Sequence, residues 1–190
     1  MNFLFIDSCQ NELFVLLYNN GEIFYSTSSG NKKHNSVLLP KVDELLNKSG
    51  LKINEIENIA CVVGPGSFTG IRLGVSTCNA IAFAVGSNRI AINTFESIAY
   101  NNINNILVAL DCRHGNYYAA EYNNGKEVAL LNITEKEIAS FEGEVIIWNG
   151  ERNIDNIVSC VKDKIESKNF VDMFVPLYLK KSQAEREAEC

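Results

Sequence analysis

The chain is poor in the residues that bind transition metals. It has two histidines, at 34 and 114, and its six cysteines, at 9, 61, 78, 112, 160 and 190, include no Cys-x-x-Cys pair. A local zinc site needs such ligands gathered at short spacing, so none is expected. Positive charge is also short. Seventeen Lys and Arg stand against 23 Asp and Glu, for a net charge of -6. Lys32–Lys33 and Lys180–Lys181 are isolated pairs rather than a basic patch, which argues against unaided nucleic-acid binding. The opening MNFLFIDSCQ has neither a basic stretch nor the apolar core of a signal peptide. No uninterrupted apolar run is expected to reach membrane-spanning length, because Arg72 and several polar residues break the best candidate. Four of the cysteines sit in apolar or strand-like contexts, which suits reduced thiols. The expected location is the cytoplasm.

What is present is ordinary globular material, 46% hydrophobic and 21% charged over 190 residues. That length supports one good-sized domain or two small lobes. The organising stretch is IACVVGPGSFTGIRLGVSTCNAIAFAVG, residues 59–86. An apolar run at 59–63 reads as a buried strand ending in a sharp turn at Gly64-Pro65. Ser67 and Thr69 can each cap a helix starting near Gly70, and Gly86 stops it. Arg72 is the only charged side chain between 69 and 85. Ile71, Val75, Cys78, Ala82 and Val85 form one apolar stripe, while Leu73, Ile81, Phe83 and Ala84 fill much of the rest. A helix apolar nearly all round is buried on more than one side. One face on its own core and one on another protein would meet that description.

Three strand-like runs precede this stretch, at 3–6, 13–18 and 22–26, with Asn19-Asn20-Gly21 as a hairpin turn. An amphipathic helix follows in HNSVLLPKVDELLNKSG, ending at Gly50, with Pro40 expected in or near its first turn. His34, with no second ligand nearby, suits capping or solvent contact better than metal binding. After the central helix come a strand at 89–92 and a helix over 94–100 with Thr94 as its cap. The asparagine-rich piece 101–105 reads as a linker. The pattern then restarts: a strand at 106–110 ends at Asp111 as 3–6 ends at Asp7, a second hairpin spans 117–131, and a strand at 144–148 precedes a helix at 154–165. Two α/β lobes, 1–101 and 102–190, are expected, built as a duplicated unit.

The tempting motifs fail individually. Gly64, Gly66, Gly70 and Gly74 miss the dinucleotide fingerprint because Thr69 stands where a glycine is needed. Gly70 is followed by Ile71-Arg72 rather than Lys-Ser/Thr, so there is no Walker loop. Ser67 is no nucleophile elbow, and there is no H-E-x-x-H. A glycine-rich turn leading into a helix N-terminus can still receive an anion. Asp7, Gly64, Gly66, Ser67, Thr69 and Gly70 are therefore the candidate phosphate contacts, against the alternative of a tight turn that simply needs glycine.

The stretch GPGSFTGIRLGVSTCNAIAFA resembles the signature of the bacterial TsaB (YeaZ) proteins, and HNSVLLPKVDELL, ALDCRHGNYYAAEY and PLYLKKSQAE extend the resemblance over most of the chain. The resemblance implies the actin, Hsp70 and sugar-kinase (ASKHA) fold, a duplicated RNase H-like unit, here with a shortened second lobe. It also implies a non-catalytic paralogue of TsaD, the subunit that transfers threonylcarbamoyl to N6 of adenosine 37 in tRNAs reading ANN codons. TsaD carries a metal-binding H-x-x-x-H motif where this chain has Thr94 and Ile98, so the chain is expected to hold no metal and no cofactor. ATP and a metal would belong to the complex. The implied partners are TsaD and the ATPase TsaE, with tRNA contacted indirectly and a homodimer open when the chain is alone. The interface residues implied are Leu38, Leu39, Val42, Leu45 and Leu46 on the first helix, with Ile71, Gly74, Val75, Cys78 and Ala82 on the second. A bulky residue at 74 is then expected to block pairing and leave the monomer folded. The alternative is a small ATP-dependent kinase or ATPase of the same fold, with Asp7 and Asp111 as its acids.

Overall fold

A computed structural model describes residues 1–28 and 34–179, so Lys32, Lys33, Lys180, Lys181 and Cys190 lie outside the described residues. Every residue of β1 (Asn2–Asp7) is buried. A strand covered on both faces has no reason to alternate, and it reads as one apolar run. β2 (Leu13–Asn19) and β3 (Glu22–Ser28) are added antiparallel through a tight hairpin. α1 (His34–Ser49) and a 3-10 turn at Ile53–Glu55 cross over to β4 (Asn58–Val62), parallel to β1. α2 (Phe68–Val85) then leads to β5 (Asn88–Ile92), parallel to β4. The sheet order is β3-β2-β1-β4-β5.

α3 (Thr94–Ala99) carries the chain to β6 (Ile106–Asp111), β7 (Asn116–Asn123) and β8 (Lys126–Thr134). A short α4 (Glu135–Ala139) precedes β9 (Glu144–Ile147) and α5 (Ile154–Glu166). The second sheet runs β8-β7-β6-β9. Each sheet is an antiparallel hairpin on a central strand, followed by a parallel strand reached through a crossover. The second sheet repeats the order of the first without a counterpart of β5. This is the duplicated RNase H-like α/β arrangement, shortened in its second half.

The division at residue 101 describes the sheets but not the packing. Ile157, Val158, Cys160 and Val161 of α5, with Phe174 beyond it, share one core with β1, β4 and α2. Phe95 and Ala99 of α3 pack instead with Ile106, Val108 and Tyr122 of the second sheet. The chain crosses between halves twice, because each sheet needs an apolar cover that its own half does not supply.

Local ends differ from expectation in two places. Asn93, not Thr94, caps α3: its side chain accepts from the Glu96 N–H, and Glu96 reaches back to the Asn93 N–H. The Thr94 hydroxyl donates instead to the Pro65 carbonyl at 2.7 Å. Pro40 lies inside α1, a turn later than expected, with its ring exposed.

Candidate partner-binding site

The two helices expected to meet a partner present their most regular apolar stripes inward. Leu38, Val42, Leu45 and Leu46 of α1 are buried, as are Ile71, Gly74, Val75, Cys78 and Ala82 of α2, and all but Gly74 belong to the core around β1 and β4. Of the expected interface residues only Leu39 faces water, 54% exposed. This is a correction with a plain cause. An i, i+3, i+4, i+7 stripe is the one a helix lays on its own sheet. Gly74 likewise serves the interior, since a Cβ there would overlap Ser8 Oγ at the end of β1. A bulky residue at 74 would therefore damage the monomer itself.

The surplus of apolar surface is on the outer side. Only 33% of α2 is buried, although its composition would suit a membrane span or a core helix. Its exposed residues include Ala80, Phe83 and Ala84, with Phe83 85% exposed, while Leu73 is half-buried against the core. α1 lies alongside and adds Leu39 and Pro40. Between their N-terminal ends is an open groove of about 570 Å³, lined by His34, Asn35, Thr69, Arg72, Leu73 and Ser76 among others. Solvent-facing apolar side chains on two adjacent helices are suited to binding another protein.

The glycine turn borders this groove through Ser67 and Gly70, and through Gly66 and Ser67 it lines a second opening of about 370 Å³ shared with Cys9, Asn11, Asp111 and Arg113. The Ser67 N–H donates to the Cys9 carbonyl at 2.6 Å, the Gly70 N–H to Ser67 Oγ at 3.3 Å, and the Ile71 N–H to the Ser67 carbonyl at 2.8 Å. Ser8 Oγ donates to the Gly70 carbonyl at 2.7 Å. A Cβ at Gly66 or Gly70 would overlap the carbonyls of Cys9 or Ser8. The end of β1 therefore packs closely against Gly66 and Gly70 among the candidate phosphate contacts, Gly64 is buried, and Ser67 and Thr69 are exposed. The glycines of the turn thus serve close packing against the end of β1.

Asp7 is equally engaged. Its Oδ1 accepts from the Cys9 N–H at 2.9 Å, and its Oδ2 pairs with Arg152 Nη2 at 3.0 Å, both side chains being more than nine-tenths buried. Arg152 also reaches Glu12 Oε2 at 3.1 Å and lies over the rings of Phe14 and Trp148. The cavity behind this pair is about 90 Å³, room for a few waters and well below the size of an ordinary ligand pocket. Asp111, the other candidate acid, accepts from the Arg113 N–H at 2.7 Å. Arg152 had no signal in the sequence: a lone arginine in a loop acquires its role only through the fold.

The buried cysteines are structural. Burial pushes the Cys9 and Cys61 thiols up, with Asp7 adding to the effect at Cys9, and raises Cys160 to about 12. His34 Nε2 lies 3.2 Å from the Asn11 carbonyl.

Known proteins resemble this chain in sequence and in fold. The family model for "TsaD: tRNA N6-adenosine threonylcarbamoyltransferase" matches residues 27–159. The tRNA threonylcarbamoyladenosine biosynthesis protein TsaB of Escherichia coli (strain K12) is 32% identical over 127 residues, covering 64% of this chain and 55% of that protein. Its namesake from Haemophilus influenzae is 26% identical over 153 residues, with coverage of 78% and 60%. The chain thus spans little more than half the length of these curated relatives. Among solved structures, YeaZ from Pseudomonas aeruginosa superposes with a TM-score of 0.78 at 18% identity, covering 94% of this chain and 99% of that one, a likeness of fold.

Proposed function

The chain belongs to the TsaB (YeaZ) family, within the reach of the TsaD family model, and on that footing we propose that it is an accessory subunit without catalysis of its own. It docks on TsaD and supports threonylcarbamoyl transfer to N6 of adenosine 37 in ANN-decoding tRNAs, in the cytoplasm. TsaE joins the pair, ATP and a metal belong to the complex, the metal being held by TsaD, and the tRNA is contacted indirectly. Alone, the chain can self-associate through the same helices.

One observation carries this reading: α2 is apolar around most of its circumference, yet only a third of it is buried. The outer faces of α1 and α2, marked by Leu39 and Phe83, are the docking surface, in place of the inward stripes. An aromatic ring 85% exposed gains most of its burial energy only when a partner covers it. At about 25 cal/mol per Å² that amounts to a few kcal/mol.

The test is affinity for TsaD of the same genome, followed by assay of the tRNA modification. Phe83→Asp and Leu39→Asp should each weaken binding at least tenfold while the circular dichroism and unfolding midpoint stay unchanged. Unaltered affinity in both variants would remove these faces from the interface. Turnover of a substrate by the isolated chain would overturn the accessory role.

A further inference from the structure

After α5 the chain returns to the first half and lies along α2. The Val171 N–H donates to the Arg89 carbonyl at 2.9 Å, and the Leu177 N–H to the Val63 carbonyl at 2.8 Å. Between these anchors Asn79 of α2 exchanges two hydrogen bonds with the Phe174 backbone, at 3.0 and 2.9 Å. Further along, Arg72 Nε donates to Tyr178 Oη at 3.0 Å, and the Tyr178 ring stacks on Phe68 with centroids 4.6 Å apart. The segment therefore runs antiparallel to the helix, from Asn79 back to its first turn. The glycine turn makes room for it, since a Cβ at Gly64 would sit 2.5 Å from the Leu177 carbonyl.

Phe174 points inward and is 1% exposed, whereas its neighbours Met173 and Val175 are 60% and 63% exposed. That is the alternation of an extended segment with one face on a core. Phe83 lies one turn beyond Asn79 on the same side of α2. Met173, Val175 and Phe83 are thus exposed apolar groups of two segments, far apart in sequence, that the Asn79–Phe174 hydrogen bonds hold together.

We propose that residues 171–178 form the second part of the docking surface, so that the TsaD-type paralogue seats on α2 and this strap together. The inference rests on the reading under Proposed function and names further contacts for the same partner. Area argues for it. Eight residues of α1 and six of α2 are exposed, not all on one side, whereas a stable interface takes roughly 20 to 30 residues from each partner. The helices alone fall short, and the strap, hydrogen-bonded along α2, adds the exposed apolar side chains Met173 and Val175.

The experiment uses the full chain and TsaD of the same genome, measured by titration calorimetry and gel filtration, with three forms: wild type, Met173→Asp/Val175→Asp, and Phe83→Asp. The strap variant should keep the wild-type unfolding midpoint, because both side chains already face water, and should bind at least tenfold more weakly. A strap variant that binds like wild type while Phe83→Asp does not overturns the inference and leaves the functional reading standing. Wild type that fails to bind TsaD sinks both. A strap variant altered only in self-association would assign the surface to a second copy and also overturn the proposal. Peroxide oxidation of Met173 in the wild-type chain gives a readout independent of mutation. Adding TsaD should slow it severalfold, and an unchanged rate would count against the strap as a contact.

Discussion

Ser8 and Gly74 face each other where α2 passes the end of β1, and two opposing effects can be weighed there. Alanine is favoured over glycine inside a helix by about 1 kcal/mol. The Gly74→Ala methyl, however, would overlap Ser8 Oγ, which is buried and held by its hydrogen bond to the Gly70 carbonyl. Overpacking of this kind costs roughly 1–3 kcal/mol, so Gly74→Ala should be destabilising. With Ser8→Ala already present the overlap is gone, because Ser8 Cβ stands 3.7 Å away, and the same substitution should become neutral or stabilising. Urea unfolding of the four forms gives the coupling, and additive effects would show that the contact is not limiting. The thiols make a second residue-scale prediction. Cys9, Cys61 and Cys160 have pKa values raised by burial, so the folded state keeps protons that the unfolded chain releases near pH 8.5. Their stabilisation is fully present below that pH and declines as pH rises toward the folded values, about 12 for Cys160. Denaturation in reductant at pH 7 and pH 10 should show lower stability at pH 10, and Cys160→Ala should reduce the difference. A variant with the wild-type pH slope would contradict the assignment.

At the scale of elements, the sequence exposed what depends on local pattern and concealed what depends on contact. α2 was legible at its C-terminal end, where Gly86 is the cap, and to within two residues at its start: of the two caps the sequence offered, Ser67 and Thr69, Ser67 is used and the helix begins at Phe68 rather than near Gly70. The hairpins were legible from their Asn-Gly turns, and the duplication from the recurrence of a strand ending in an acid. α3's true cap was missed because Asn93 and Thr94 are both good cap residues, and only the fold commits Thr94 to the Pro65 carbonyl. The interface residues were misplaced for a related reason. Periodicity shows that a helix has an apolar stripe, but with α2 apolar on two sides it does not show which side the chain's own sheet takes. The sheet took the stripe containing Gly70 and Gly74, where the end of β1 needs space. Ala80 and Phe83 were left outside. The strap was illegible because its meaning lies in pairing with Asn79 and Arg72, about a hundred residues earlier.

At the scale of the whole molecule, Arg152 joins the two halves. It leaves the loop between β9 and α5 and ends against Asp7 and Glu12 of the first half, packed between Phe14 and Trp148. A second link lies farther along, where Lys164 of α5 pairs with Glu96 of α3 at 2.8 Å and donates to the Ala91 carbonyl at 3.2 Å. Breaking a buried pair by removing one partner typically costs roughly 3–5 kcal/mol, because the other charge stays behind without compensation. Arg152→Met should therefore lower the unfolding midpoint by on the order of 10 °C for a chain of this size. Adding Asp7→Asn should restore much of that loss, since the stranded carboxylate is then gone. The effect should be confined to stability and to hydrogen exchange in the loops that meet at Arg152, because the outer faces of α1 and α2 lie elsewhere. Affinity for TsaD, measured well below the midpoint, should stay within about twofold. If Arg152→Met unfolded at the wild-type temperature, the ion pair would be a passive contact. If it kept the midpoint but lost TsaD, the docking surface would have to extend to the junction between the two halves.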